Sequence, residues 1–170
     1  MSTIIELENV TKAYDEGAAS RVVLRGVSMR IEGAETVALL GASGSGKSTL
    51  LNIVSGLTVA DSGTVRVAGS ELTRMTAAER TLFRRRQVGF VFQFFHLIPT
   101  LTVEENLRLP LQLNDSDGPQ GRARVNDLLA RVGLIDRKNT FPDRLSGGEQ
   151  QRVAVCRALV HQPPVILADE

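Results

Sequence analysis

One short segment, Gly41–Ser48, restricts the fold of this chain more than any other part of the sequence. It reads GASGSGKS, with its first glycine, last glycine, lysine and final serine at the spacing of a phosphate-binding loop. The apolar run Thr36–Leu40 precedes it, and a helix predicted over Ser48–Ser55 follows it. Such a turn directs backbone N–H groups and the positive end of the helix dipole at an anion. The sequence therefore predicts an α/β fold with a strand, a phosphate loop and a helix in succession.

The residues of this loop have expected roles toward a nucleotide. Lys47 places a positive charge on the outer phosphates, the Ser48 hydroxyl is a ligand for Mg²⁺, and Thr49 adds a hydrogen bond to an inner phosphate. The predicted phosphate-binding set is Gly41, Ala42, Ser43, Gly44, Ser45, Gly46, Lys47, Ser48 and Thr49. This motif alone leaves kinases, GTPases and many ATPases open.

A second motif lies at the other end of the chain, where the apolar run Val165–Ala168 is followed by Asp169 and Glu170. In open α/β sheets the active crevice lies beyond the carboxyl ends of the strands. Asp169 is therefore expected to hold the Mg²⁺ shell, and Glu170 to take a proton from the attacking water. A strand end with two solvated acids is the plain alternative.

A third motif, Leu145–Arg152, reads LSGGEQQR. A serine N-cap followed by two glycines leaves a bare helix start, which is a second device for contacting phosphate. The economical interpretation is that it contacts the γ-phosphate bound by a second copy of the protein. An ordinary capped helix remains the alternative.

The rest of the pattern alternates short β-rich runs with amphipathic helices, as α/β proteins do. Strands are predicted at Ile4–Thr11, Val27–Ile31, Thr36–Leu40, Thr64–Val67, Val88–Phe92 and Val165–Asp169, the first two as an antiparallel flap. Helices are predicted at Ala77–Arg86, Val103–Leu109, Arg122–Val132 and Gly147–Val160, besides the helix after the loop. Three of them begin with a hydroxyl and a glutamate three positions later, at Thr76, Thr102 and Ser146.

Together these motifs resemble the ABC ATPase family over the whole chain. The resemblance implies one domain over residues 1–170, with a P-loop NTPase (RecA-like) core, an N-terminal antiparallel β subdomain and a helical subdomain at about residues 94–160. It implies that Tyr14 stacks on adenine and that Gln93 senses Mg²⁺ and the water. Ser146, Gly147 and Gly148 would contact the ATP of the opposite protomer. The implied catalytic residues are Glu170, Gln93 and Lys47, and the implied metal ligands are Ser48, Gln93 and Asp169.

The family hydrolyses ATP with Mg²⁺ as a dimer of ATPase subunits, homodimeric or paired, that acts on an integral membrane permease. The sequence of Phe94–Leu107 is similar to the corresponding segment in the lipoprotein-release and macrolide-export branch of the family. Phe94 and Phe95 are expected either to pack beneath the helical subdomain or to line a docking groove for the permease. The family continues past the glutamate to a switch histidine, so we expect a chain ending at Glu170 to bind ATP weakly and to turn it over poorly.

Composition narrows the choice of partner and location. The net charge of +1 gives no basic excess of the kind that binds nucleic acid, and no apolar run approaches the roughly 20 residues that span a bilayer. No signal peptide is expected, and the single cysteine, Cys156, is predicted to be a small core residue. The expected location is cytoplasmic, on the inner face of the membrane through the permease. His96 and His161 lack the spacing of a metal pair.

Three alternatives stay open at this point. A chromosome-maintenance or DNA-repair ATPase of the same family would carry a coiled-coil insertion before Leu145, and no sustained heptads occur there. A tandem translation-type protein would need a second phosphate loop. A non-catalytic nucleotide-binding module is the third.

Overall fold

The computed structural model describes residues 2–15, 17 and 20–169, which form two compact units that divide between Arg84 and Arg85. In the first unit, β1 (Thr3–Asp15) and β2 (Ser20–Glu32) form the predicted antiparallel flap, extended at both ends. β3 (Ser62–Val67) and β4 (Ser70–Glu71) complete an antiparallel sheet of order β2-β1-β3-β4. The helices are α1 (Lys47–Val54), a 3₁₀ turn at Leu72–Arg74, and α2 (Ala77–Gln87), in which the division falls.

The core of the first unit follows from the side-chain periods of its elements. Ile5 and Leu7 of β1 alternate onto the buried face, as strand residues two apart must. After Leu7 the pairing of β1 with β2 shifts register, at a point where Asn9 has a left-handed backbone with φ 50°. The shift lets Val10 return to the core, where it is fully buried. From α1, residues Leu50, Ile53 and Val54 occupy one helix face and close the same core.

The segment before the phosphate loop is not the predicted buried strand. Residues 36–40 adopt no regular structure, and the side chains of Val37 and Leu40 are 48% and 92% exposed. A β-strand is held by hydrogen bonds to a neighbouring strand, and no described strand pairs with these residues. The prediction of a buried strand at Thr36–Leu40 is therefore wrong, because apolar composition alone does not supply the neighbouring strand that a β-strand needs.

The second unit combines three helices with a pair of parallel strands. β5 (Val88–Val91) pairs with β6 (Val165–Ala168), and the helices are α3 (Val103–Leu113), α4 (Pro119–Arg131) and α5 (Gly147–Leu159). Two 3₁₀ turns, Ile135–Arg137 and Pro142–Arg144, lie between α4 and α5. The helices share one core, whose buried members are Val103, Leu107, Leu111, Val125, Leu129, Leu134, Leu145, Val153, Cys156 and Val160.

Two helix boundaries in this unit differ from the sequence prediction. α3 passes through Pro110, although proline removes one backbone donor, because Leu111 beyond it is fully buried and packing holds the last turn. α4 begins at Pro119 rather than Arg122, with the proline in the first turn where its missing N–H would have no helical partner. Cys156 lies in the core as predicted, 1% exposed.

One glycine decides how closely α5 approaches β5. A Cβ atom built on Gly89 would lie 2.2 Å from the carbonyl oxygen of Ala158 and 2.8 Å from Cδ1 of Ile166. No real side chain fits such distances, so Gly89 allows the helix backbone to rest directly on the strand. This contact fixes α5 against the strands that end next to Gln93 and Asp169.

Candidate functional site

The phosphate loop is a tight turn that depends on glycine at its ends. Gly44 and Gly46 have φ angles of 77° and 96°, which residues with a side chain rarely adopt. A Cβ on Gly41 would lie 2.7 Å from the Ser45 hydroxyl oxygen, and one on Gly46 would lie 3.0 Å from side-chain atoms of Val23 and Leu24. The loop therefore packs against β2 at Gly46, while Gly41–Ser45 stay exposed.

The Lys47 side chain folds back over this loop. Its ammonium group donates hydrogen bonds to the carbonyl oxygens of Gly41, at 2.8 Å, and Ala42, at 3.0 Å. These bonds hold a positive charge next to Gly41 and Ala42, at the start of the loop. The lysine ammonium is a compact charge on a flexible stem, which suits an anion that binds at the same part of the loop.

The start of α1 adds to the positive field. Its N-cap residue is Gly46, so no side chain caps the helix, and no acidic residue lies in its first turn. The first-turn N–H groups of a helix have no partner inside the helix, and the helix dipole places partial positive charge there. Loop, ammonium and helix start are therefore arranged as the prediction of phosphate binding by residues 41–49 requires, and the binding itself stays a prediction.

Tyr14 lies near the end of β1, where it pairs with Arg21 of β2 and is 40% exposed. The Lys12 ammonium lies 5.5 Å from the centre of its ring. That ammonium also contacts Asp61 at 2.6 Å, and this hydrogen bond, with a second from the Ala13 N–H, lowers the pKa of Asp61. The ring thus presents an aromatic surface beside a fixed cation, in the same unit as the phosphate loop.

The second predicted phosphate contact, the start of α5, is a complete capping box. The Ser146 hydroxyl oxygen accepts a hydrogen bond from the Glu149 N–H at 3.3 Å, and the Glu149 carboxylate accepts from the Ser146 N–H at 2.8 Å. The hydrogen bond from the Ser146 backbone lowers the pKa of Glu149. The Glu149 carboxylate is thus bonded to the N-cap residue of its own helix.

Neither packing nor backbone conformation within the described residues requires glycine at the two positions after Ser146. A Cβ on Gly147 would contact nothing within 4 Å, and one on Gly148 would lie 3.8 Å from the Arg152 guanidinium. Neither has a positive φ. Glycine lowers helix stability relative to alanine, so two exposed glycines here favour a function outside this chain's own packing.

Gln93 and Asp169 follow neighbouring parallel strands at the same edge. Val91 of β5 pairs with Ala168 of β6, and the Asp169 N–H donates to the Val91 carbonyl at 3.0 Å. The two predicted metal ligands therefore leave the carboxyl ends of adjacent strands. Glu170, the predicted base, lies outside the described residues.

Sequence reasoning missed Arg157. Its guanidinium donates to the carbonyl oxygens of Phe95, at 2.8 Å, and His96, at 2.6 Å, in the loop that follows Gln93. An arginine inside the otherwise apolar stretch Val153–Val160 was the available signal, because a cation in that setting needs a partner.

The predicted site residues divide between the two units. Tyr14 and the loop with Lys47, Ser48 and Thr49 belong to the first, and Gln93, Ser146, Gly147, Gly148 and Asp169 belong to the second.

The donor chemistry of the predicted metal ligands can be compared with what Mg²⁺ prefers. Mg²⁺ is usually held by one or two carboxylates or other protein oxygens together with phosphate oxygens. The Ser48 hydroxyl, the Gln93 amide and the Asp169 carboxylate are hard oxygen donors, which fit this ion. Within the described ranges no group of three His, Cys, Asp or Glu side chains could hold a metal on its own. No helix among these residues has the length and apolar character to span a bilayer.

Comparison of the sequence with known families gives a match to the ABC transporter family over residues 24–170. The chain is 52% identical over 167 residues to the uncharacterized ABC transporter ATP-binding protein Rv0986 of Mycobacterium tuberculosis, covering 98% of this chain and 67% of that protein. It is 46% identical to the lipoprotein-releasing system ATP-binding protein LolD of Pseudomonas syringae, covering 98% and 74% of the two chains. It is 45% identical to the macrolide export ATP-binding/permease protein MacB of Shigella flexneri, covering 100% and 26%.

Solved structures give the same result. A dimeric, post-hydrolysis structure of the ATP-binding cassette MJ0796 bound to ADP and Pi superimposes with a TM-score of 0.90 at 41% identity. The match covers 98% of this chain and 74% of that one. At this identity the likeness extends from the fold to the family.

Proposed function

Since this chain belongs to the ABC transporter family as one of its ATP-binding proteins, we propose that it hydrolyses ATP to power transport of the lipoprotein-release or export type. The observation that carries the proposal is the anion site of the first unit, where Lys47 folds over the glycine loop at the uncapped start of α1. Phosphoryl transfer needs little covalent help from a protein. Its catalysis rests on positioning and on neutralising charge, which this loop is built to do.

Each predicted site residue has its own role in the proposed binding and hydrolysis of ATP. The loop N–H groups, Lys47 and Thr49 hold the phosphates, and the Tyr14 ring carries the adenine. The Gln93 side chain orients the attacking water, and the carboxylate of Glu170 accepts a proton from it. Mg²⁺, when bound by Ser48, Gln93 and Asp169, neutralises charge on the outer phosphates.

A second protomer is part of the proposal. The exposed glycines at the start of α5 have no packing role in the described chain, so we assign Ser146, Gly147 and Gly148 to the ATP held by the opposite subunit. The dimeric structures of MJ0796 support this assignment. The two units would then belong to one nucleotide-binding domain, with residues 94–160 as its helical subdomain.

Transport needs a membrane partner, which we propose to be an integral permease that keeps this protein on the inner face of the membrane. Support comes from LolD, a lipoprotein-releasing ATP-binding protein, and from MacB, named for an ATP-binding and a permease part. The branch is tested in vesicles with the permease, by adding an acylated peptide or a macrolide. We expect one of them to raise the ATPase rate, and a rate unchanged by both would contradict the branch.

The proposed reaction is tested with Lys47→Ala, using Lys138→Ala as a control that keeps the loop intact. We expect slow but measurable release of phosphate from Mg-ATP by the wild type and the control. We expect a loss of about 100-fold in Lys47→Ala, comparable to removal of one charge-stabilising donor from an active site. ATP binding without phosphate release by the wild type would instead support a non-catalytic module. Unchanged turnover in Lys47→Ala would contradict the assigned site.

A further inference from the structure

The loop after β5 has an unusual backbone. Phe95 and His96 both lie in the left-handed region, with φ angles of 54° and 46°. Two consecutive residues with side chains rarely adopt this conformation, and it persists only where surrounding contacts hold it. The loop therefore needs an anchor, and it begins directly after Gln93.

Arg157 supplies that anchor. The two terminal nitrogens of its guanidinium donate to the carbonyl oxygens of Phe95 and His96, the same two residues that carry the left-handed backbone. A planar guanidinium with two parallel N–H groups matches a pair of adjacent carbonyls in a way that a single ammonium does not. No carboxylate among the described residues lies within ion-pair distance of Arg157. Its charge is thus directed to the loop.

The rest of the loop is tied back to the strand. The Phe95 N–H donates to the Phe92 carbonyl at 3.1 Å, which closes a turn with Gln93 inside it. The His96 ring packs edge-on against the Phe92 ring, with 4.9 Å between the ring centres. The Phe92 ring stacks on the Phe90 ring, with 4.2 Å between their centres. Gln93 therefore sits in a short turn that is fixed at one end by stacked rings and at the other by Arg157.

Arg157 belongs to α5, the helix that starts with Ser146, Gly147 and Gly148. Its neighbours Val153, Cys156 and Val160 are buried, so this part of the helix is held to the core of the second unit and moves only together with it. A displacement of the helix start is therefore passed to the Phe95–His96 carbonyls through one rigid element.

We propose that Arg157 is a positioning residue that sets the Gln93 turn and couples it to the glycine-bearing start of α5. This deepens the function proposed above and rests on it. When the helix start meets phosphate, the guanidinium moves with the helix and brings the turn into its hydrolytic position. Arg157 itself touches neither nucleotide nor water.

The test uses Arg157→Met, which keeps the apolar stem, Arg157→Lys, which keeps the charge, and Arg131→Met as a control on an exposed arginine of α4. Hydrogen exchange is measured over residues 93–98, and kcat and KM for ATP are measured alone and with Gln93→Ala. We expect faster exchange in the loop of Arg157→Met and about a tenfold fall in kcat with little change in KM, since misplacement of a reacting group lowers rate more than binding. Arg157→Lys should lie between Arg157→Met and the wild type.

In the Gln93→Ala background, Arg157→Met should cause no further loss of kcat, because the residue acts through Gln93. Losses that multiply would overturn the proposal, as would unchanged exchange over residues 93–98. A wild-type protein without ATP turnover would contradict the proposed function instead, and the exchange measurement would still decide whether Arg157 holds the loop.

Discussion

Individual glycines have different structural roles in this chain, and the space around each one shows whether close packing requires a glycine there. At Gly89 a Cβ atom would collide with a backbone oxygen 2.2 Å away, so the fold itself demands glycine. At Gly63 the same is true, with the Asn9 carbonyl oxygen at 2.5 Å. At Gly147 the space is open, so the packing of the described residues makes no demand for glycine there.

Replacement of the two kinds of glycine should therefore have opposite effects on stability. Gly89→Ala is expected to lower the free energy of unfolding by about 1–3 kcal/mol or more, because α5 must move away from β5. Gly147→Ala should leave it unchanged or raise it by up to about 1 kcal/mol, since alanine favours helix. Denaturant titration of both variants measures this. Equal losses of stability would contradict the distinction.

His161 makes a second prediction at this scale. Burial lowers the pKa of His161 below the ordinary 6.5, and the smaller opposing effect of the Val88 backbone does not cancel it. As pH falls below about 6.5, the unfolded chain takes up a proton before the folded one, so stability falls.

His161→Gln should flatten the dependence of the unfolding midpoint on pH between 7 and 5, while His96→Gln, on an exposed loop, should keep it. The measurement is the denaturant midpoint at several pH values. Identical slopes for His161→Gln and the wild type would show that this histidine is not the source.

At the scale of helices and strands, the short-range signals in the sequence were dependable and the long-range ones were not. The capping boxes at Thr76, Thr102 and Ser146 all formed, because each joins residues only three positions apart. The strand predicted at Thr36–Leu40 failed, because a strand depends on a partner distant in sequence. The end of α3 was missed because burial of Leu111 outweighs the local effect of Pro110.

The cap of α3 gives a prediction for a helix. Thr102→Ala removes the hydroxyl that accepts from the Glu105 N–H, so stability should fall by about 1 kcal/mol, the usual effect of losing a side-chain cap. Thr102→Ser, which keeps the hydroxyl, should retain most of it. Thermal unfolding of the two variants is the measurement. Equal losses in both would mean that the cap contributes nothing here.

For the whole molecule, the motifs predicted the family correctly, because their residue types and spacing are dictated by the ligand, and the phosphate site stays a prediction. Tyr14, Gln93 and Ser146 keep their predicted roles as proposals. Arg157 escaped prediction, because its partners are backbone carbonyls of a loop whose conformation no spacing rule gives. The proposed function requires that one nucleotide be held by two protomers, through Lys47 of one and Gly147 of the other.

Mixing two damaged proteins tests this directly. Lys47→Ala removes the phosphate charge and Gly147→Glu blocks the opposite helix start, so each variant alone should retain little ATP. In a mixed pair, one site combines an intact loop with an intact helix start. We expect mixing to restore retention of about one ATP per pair, measured by filter binding in a Glu170→Gln background that slows hydrolysis. No recovery at any mixing ratio, with both variants folded, would show that the two motifs do not share a nucleotide across the dimer.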